Sequence, residues 1–430
     1  MSNKLRIAIA GLGTVGAGTV KLLNEQKELL EKRCGRALEV VAISSRDKNK
    51  DRGFDISSLR WVSNPLEFAT DPEIDVVVEM IGGSEGVARD LIESALSNGK
   101  SVVTANKALV AHHGSRLAKI AEHNNAMLAF EAAVAGGTPI IKTMRDGLSA
   151  NRFSRVVGIL NGTSNYILTN MRESGRDFAE VLKEAQELGY AEADPTFDIG
   201  GIDAAHKAAI LTSLAYGYAP SMDDIYIEGI SHISQRDMIF ADELGYVIKL
   251  LGISINTSEG VRQRVHPCMI AKDSMLASVR GAYNAILVDG DFVGQIFLEG
   301  KGAGAESTAS AVVADIIDIA RGVSYKPFIL PYDKLESGNF VGIDTLRGSY
   351  YLRLEVNDKI GVLADITSIF EKHEISLRSF IQHSHEDDEP VQLVLTTHET
   401  MESSMIKAIS DIEALESVLT KPNMIRIAEF

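Results

Sequence analysis

An almost unbroken apolar run over residues 5–10 ends in Gly11-Leu-Gly-Thr-Val-Gly16 and passes into a helical pattern reaching about Lys32. Strand, tight turn and helix are predicted in that order. Further apolar strands are predicted at 40–43, 75–80, 101–104 and 127–130, with room for a helix between successive ones. Such alternation predicts a parallel sheet with helices on both faces.

Past about Ala132 the texture changes, because Gly136-Gly137-Thr138-Pro139 and Asn161-Gly162-Thr163 cut the apolar stretches into shorter pieces. A second, α+β domain is expected over 133–301. Within it, residues 284–298 alternate around Asp289-Gly290, a dipeptide suited to a two-residue type I′ hairpin turn. Gly300-Lys-Gly-Ala-Gly304 leads into a helix reaching Ile319, so that 302–325 is expected to rejoin the first domain at 1–132. A linker at 326–349 precedes a ferredoxin-like βαββαβ unit at 350–430. Its strands are expected at 350–356, 375–384, 390–397 and 423–429, its helices at 362–373 and 400–415, and a charged turn at Glu386-Asp-Asp-Glu389.

Composition narrows the function classes. At 430 residues the chain is long enough for roughly two to four domains. Lys plus Arg number 43 against 59 Asp plus Glu, a net −16 that repels phosphate backbones and anionic membrane surfaces, so neither nucleic acid nor membrane is an expected partner. Cys34 and Cys268 are the two cysteines and form no pair by spacing. With no cleavable apolar leader and no apolar run of about 18 residues, a cytoplasmic location is expected.

Gly11, Gly13 and Gly16 have the dinucleotide-binding spacing of a Rossmann-type domain: a turn, a close approach to pyrophosphate, and tight helix packing. The turn Gly11, Gly13, Thr14, Val15 and Gly16 is therefore expected to hold the cofactor at a helix N-terminus. At the end of the second strand stand Ser44-Ser45-Arg46 rather than an acid, which favours the 2′-phosphate of NADP over NAD, or marks a basic surface loop. Thr104, Asn106 and Lys107 end another strand on the ligand side of such a sheet. A lysine there is either a site residue or a solvated one.

Glu192, Asp194 and Asp198 crowd one proline-fixed loop after Gly189, able to receive an ammonium group or to form a solvated acidic turn. On the helix opened by Gly200-Gly201, Asp203, Lys207, Ile210 and Leu214 share one face, so a charged pair heads an apolar stripe. If the stripe faces inward, both charges need partners or a task. Neither cysteine lies in these motifs, so reduction of an aldehyde is expected rather than its oxidation through a thioester. His112, His113 and His206 lack zinc spacing.

GLGTVG, VVTANK around Lys107, EAAVAGGTPII from Glu131, ILNGTSNYIL from Ile159 and GYAEADPTFDIGGIDAAHKAAIL from Gly189 together resemble homoserine dehydrogenase with a C-terminal ACT domain. No aspartokinase region precedes them, so the monofunctional form is expected. The resemblance implies reversible reduction of L-aspartate 4-semialdehyde to L-homoserine, in threonine, methionine and isoleucine biosynthesis. It implies Lys207 as acid/base residue or electrostatic clamp, Asp203 supporting it, and Lys107 near the reacting carbonyl. Glu192 and Asp198 fall to the substrate's amino end, and Asn161, Gly162 and Thr163 to the substrate site. Thr104 and Gly302 fall to the cofactor. A monovalent cation, usually sodium, is implied in the loop of Glu131, Val134, Gly136 and Thr138. The ACT module, through Asn357-Asp-Lys-Ile-Gly361, is implied to bind an amino acid, with threonine the expected effector, or else to serve oligomerisation alone. A homodimer or homotetramer is expected. The alternatives are a dehydrogenase of another small amino-acid semialdehyde or hydroxy acid, and a nucleotide-binding sensor without turnover.

Overall fold

A computed structural model describes residues 4–382 and 390–430; the charged turn expected at 386–389 lies outside them. The first layer comprises β1 (Lys4–Ala10), α1 (Thr14–Glu25), α2 (Lys27–Cys34), β2 (Ala37–Ser44), β3 (Arg60–Trp61), β4 (Val76–Glu79), α3 (Val87–Ser97), β5 (Ser101–Thr104), α4 (Lys107–His123) and β6 (Leu128–Ala129). Its strands pair in parallel in the order β3-β2-β1-β4-β5-β6. Helices bury both faces, which explains why the strands read as continuous apolar runs. The order reverses beside β1, so the crevice beyond its C-terminal end is where a ligand belongs. The first helix does not run unbroken to Lys32: Gln26, at φ −102° and ψ 16°, separates α1 from α2.

The second layer comprises α5 (Ile140–Lys142), β7 (Phe153–Ile159), α6 (Gly162–Ser174), α7 (Phe178–Glu187), α8 (Thr196–Ile199), α9 (Ile202–Tyr216), β8 (Ile225–Ile227), α10 (Gln235–Glu243), β9 (Tyr246–Thr257), β10 (Gly260–Ala271), α11 (Met275–Ser278), β11 (Tyr283–Gly290), β12 (Gly294–Lys301) and α12 (Ala305–Arg321). Helix α9 is sandwiched between α4 and the sheet of β7, β9 and β10, and every residue from Asp203 through Leu214 is buried. In place of a single inward stripe, the helix is buried on all sides. Helix α12 returns to the first layer against α1, where a Cβ on Gly18 would stand 2.7 Å from the Ala305 carbonyl oxygen.

The hairpin forms, but its turn is not the two-residue one expected. Pairing of β11 with β12 continues through Asp289↔Gln295 to Gly290↔Gly294, leaving Asp291, Phe292 and Val293 as the loop. Gly294, at φ +75°, takes the left-handed position. Asn151 Oδ1 accepts the N–H groups of Phe292 and Val293 at 3.3 and 2.9 Å, so a contact distant in sequence decides the turn.

The C-terminal module comprises β13 (Arg347–Val356), α13 (Val362–Lys372), β14 (Leu377–Gln382), β15 (Val391–Thr397), β16 (Thr400–Met401), α14 (Glu402–Glu413) and β17 (Asn423–Ile427). Its main strands lie in the ferredoxin-like order β17-β13-β15-β14, with β16 added beside β13. Parallel pairing of β10 with β17 at Cys268↔Arg426 and Met269↔Ile427 makes it continuous with the second layer in one 11-stranded sheet. The segment at 326–349 is strapped down: Phe328 is fully buried beside Phe130, and the Val261 N–H donates to the Asn339 carbonyl at 2.8 Å.

Candidate functional site

The glycine turn ends β1 at the crevice. A Cβ on Gly11 would lie 2.4 Å from the Met80 carbonyl oxygen, and one on Gly16 would lie 2.0 Å from that of Gly11. At Gly13 nothing stands within 4 Å, so this glycine leaves an open cradle. Gly13 is the N-cap of α1 and offers no side-chain cap, which leaves the first N–H groups of the helix, from Thr14 and Val15 onward, free for an anionic ligand. These residues fit a dinucleotide pyrophosphate.

Ser44 is buried at the end of β2, and Arg46 is exposed just beyond it. Arg52, which no sequence pattern singles out, organises this loop: it donates to the Lys50 carbonyl at 2.6 Å and lies 5.7 Å over the Trp61 ring. Between β4 and β5, the fully buried Glu79 accepts bonds from the Ile81 N–H at 2.6 Å, the Gly82 N–H at 2.9 Å and the Thr104 hydroxyl at 2.6 Å. The Thr104 side chain is thus committed to the crevice wall. Asn106 caps α4 by accepting the Leu109 N–H at 3.1 Å, and its amide donates to the Gly83 carbonyl at 2.7 Å. That cap makes Lys107 the first residue of α4 and aims it at the second layer.

Lys107 meets α9 there. Its Nζ stands 2.9 Å from Asp203 Oδ1, while Lys207 Nζ stands 2.8 Å from Asp203 Oδ2 and 2.7 Å from the Leu160 carbonyl oxygen. Asn161 Nδ2 donates to both Asp203 Oδ2 and Asp198 Oδ1 at 2.8 Å. One carboxylate therefore lies between two ammonium groups, and one amide joins it to a second carboxylate. Burial opposes ionisation of Asp203, but the two lysines overcome it and hold its pKa well below the usual range. Burial lowers the pKa of Lys207, and the neighbouring Lys107 charge adds to the effect while Asp203 resists it. Burial also acts against the Lys107 charge, but Asp203, Asp198 and Glu192 together outweigh it and raise its pKa. Burial raises that of Asp198.

The remaining expected substrate residues frame this cluster. Asn161 is the N-cap of α6, Gly162 begins that helix, and the Thr163 hydroxyl donates to the Tyr190 carbonyl at 2.6 Å. Glu192 is exposed on the acidic loop and acts on Lys107 by charge, while Asp194 binds its own loop through Thr196. Asn284, which no site motif singles out, donates to the Leu160 carbonyl at 3.0 Å and so shares an acceptor with Lys207. A Cβ on Gly302 would fall 2.2 Å from that asparagine, so the glycine lets β12 pass. A cavity of about 460 Å³ lies at the junction, bounded by Gly82, Gly83, Asn106, Lys107, Phe197 and His206. His206 Nε2 is 3.3 Å from His112 Nε2, and burial lowers its pKa to about 4, so at neutral pH it is an uncharged wall. Neither cysteine belongs to the cluster: Cys34 ends α2, and Cys268 is fully buried on β10, where burial pushes its thiol up to about 12.

Family models described as Homoserine dehydrogenase, NAD binding domain; Homoserine dehydrogenase; and ACT domain match residues 11–131, 139–317 and 350–417. A homoserine dehydrogenase of Pseudomonas aeruginosa is 44% identical over 432 residues, covering 99% of each chain. The chain belongs to the homoserine dehydrogenase family. The Helicobacter pylori homoserine dehydrogenase is also 44% identical, over 99% of this chain and 100% of its own. A crystal structure of the homoserine dehydrogenase from Thiobacillus denitrificans superposes with a TM-score of 0.93 at 46% identity, covering 99% of this chain and 98% of that one. A hyperthermophilic archaeal homoserine dehydrogenase in complex with NADPH gives a TM-score of 0.63 at 28% identity, over 73% of this chain and 97% of its own. Homoserine dehydrogenase activity here is NAD(P)-dependent and accompanied by an ACT regulatory domain.

Proposed function

We propose that the chain reduces L-aspartate 4-semialdehyde reversibly to L-homoserine with NADPH preferred over NADH, and that Lys207 is the acid that protonates the nascent alkoxide. The observation that carries this reading is the Lys107–Asp203–Lys207 row at the junction of the two layers, in which Asp203 and Lys207 are buried and Lys107 is half-buried. A reduced nicotinamide, when bound, supplies the hydride to the aldehyde carbon. Lys207, its pKa lowered by burial, is a better proton donor than a solvated lysine, and its bonds to Asp203 and the Leu160 carbonyl fix the direction of Nζ. Lys107 stays cationic and stabilises the oxygen as negative charge develops. Asp198, steadied by Asn161, and Glu192 at the loop mouth receive the substrate ammonium, while Gly162 and Thr163 set the start of α6 behind them.

The exposed Arg46 beyond β2 supports NADPH, since its guanidinium suits a 2′-phosphate. A sodium ion fits the loop of Glu131, Val134, Gly136 and Thr138: the buried Thr138 hydroxyl has no hydrogen-bond partner, and burial together with Asp315 raises the Glu131 pKa to about 7. Such an ion would brace the junction, where the Gly136 N–H already donates to the Gly302 carbonyl at 3.1 Å. Threonine is the proposed effector, held beside Gly361, which adopts φ +96° ahead of α13. Exposed apolar residues on and beside the edge hairpin, Tyr283, Phe292 and Val293, support a homodimer or homotetramer. Among the described residues no helix is long and apolar enough to cross a membrane. The test is a panel of amino-acid semialdehydes and hydroxy acids followed by nicotinamide absorbance, with NADH and NADPH in parallel. Aspartate 4-semialdehyde and homoserine should dominate, and equal turnover of an unrelated hydroxy acid would overturn the assignment.

A further inference from the structure

Where β10 meets the C-terminal module, a second cavity of about 480 Å³ opens among Arg262, Arg264, Arg347, Arg378, His398 and Arg426. Of these, Arg426 is fully matched, with Nε 3.1 Å from Glu402 Oε2 and Nη1 2.7 Å from Glu228 Oε2. Arg264 is not. It is 6% exposed, its Nε donates to the neutral His266 ring at 3.1 Å, and its buried Nη1 has no hydrogen-bond partner. Burial, with Arg262 and Arg426 nearby, lowers its pKa to about 10. Arg262 binds the Thr345 hydroxyl at 2.9 Å and reaches Glu259 only at 3.9 Å, and its buried Nε is also unpartnered. Arg347 and Arg378 are exposed at the rim. Among the described residues, no carboxylate forms an ion pair with Arg264, Arg347 or Arg378, including Glu399 and Glu429 in the same lining.

A buried guanidinium with no carboxylate in ion-pair contact is costly, and an orphaned buried donor calls for an unseen partner. Guanidinium groups converging on one cleft match the oxygens of a phosphate bidentately. We propose that this cleft is an anion site for a dianionic phosphate group, free or as the head of a small phosphomonoester, clamped between β10 and the first strand of the ACT domain. It is separate from the Gly361 loop, which follows the other end of β13, about 20–30 Å along the strand at the usual rise. It is equally separate from the nucleotide crevice in the first layer. Occupancy ties the catalytic sheet to the regulatory module across the short β10–β17 pairing.

The test is thermal unfolding and titration calorimetry of the full chain saturated with NADPH, so that the nucleotide site is filled. Inorganic phosphate and O-phosphoserine are compared with potassium chloride at equal ionic strength. Either phosphate should raise Tm by about 3 °C or more at a hundredfold excess over Kd, and which one does so identifies the source. Arg264→Gln should weaken binding by about tenfold or more. The surface double variant Arg347→Gln/Arg378→Gln, which leaves the core untouched, should weaken it as well, and it decides the question if the buried variant folds poorly. No shift beyond chloride, or equal binding by wild type and the surface variant, overturns the proposal.

Discussion

Replacing Asp203 by Asn keeps the shape of the site and removes one charge. Its oxygens stand 2.8 Å from Lys207 Nζ and 2.9 Å from Lys107 Nζ. At an effective dielectric of about 20, each contact is worth roughly 6 kcal/mol of attraction, most of which offsets desolvation. Removing one member of such a buried set costs about 3–5 kcal/mol. Part of that is recovered when a lysine gives up its proton, at about 1.36 kcal/mol per pKa unit, so a loss of about 3 kcal/mol moves a lysine by about two units. Lys207, already lowered, yields before Lys107, which is raised.

In Asp203→Asn the limb of kcat on which Lys207 deprotonates should therefore move about two units toward acid. At mildly alkaline pH kcat should fall by up to about 10², while KM for the aldehyde changes less because Asp198 and Asn161 remain. Stability has its own sign. The folded pKa of Asp203 lies below its unfolded value, so its contribution is complete above about pH 4 and is lost as pH falls toward the folded pKa. The gap between wild type and variant in urea unfolding should thus narrow in acid. Wild-type kcat with an unmoved limb, or a stability gap independent of pH, refutes this reasoning.

Two glycine substitutions should separate packing from cofactor contact. Gly16→Ala, whose Cβ would lie 2.0 Å from a carbonyl oxygen, should lower Tm, whereas Gly13→Ala should leave the apo Tm unchanged and raise the cofactor KM about tenfold or more. Arg46→Ala should shift the NADPH/NADH ratio of kcat/KM toward NADH by about tenfold, and an unchanged ratio would place the 2′-phosphate elsewhere. Burial raises Glu131 to about 7 and Asp315 to about 6, so their contribution to stability is full below their unfolded values and is lost as pH rises through 6 to 7. A bound sodium ion should offset that loss, making the Tm advantage of sodium over choline chloride grow between about pH 5 and 8; a constant difference would remove the ion from this loop.

What the sequence displays is local. The strand, glycine turn and α1 are legible because each needs only its neighbours, and the spacing of Asp203 and Lys207 places both on one helical face. Partners across space are not. Asn284 joins the site from β11, where the strand alternation marks a hairpin but says nothing of its partner, and Glu79 reads as one more residue of a buried strand. Strand β10 escapes notice because Arg262, Arg264 and His266 fill one buried face, which removes the usual apolar alternation. Asp289-Gly290 is a sound hairpin signal, but Asn151 selects a later turn. Likewise, nothing local to β17 announces that it will pair with β10.

The central claim, proton transfer by Lys207, is tested most directly by chemical rescue of Lys207→Ala with primary alkylamines of graded pKa. Single-turnover reduction should first fall by about 10²–10⁴ and then recover with added amine, along a Brønsted line against amine pKa after correction for size. Rescue that is equal for all protonated amines and also for a quaternary ammonium ion would contradict it, leaving Lys207 as a charge without a transferable proton.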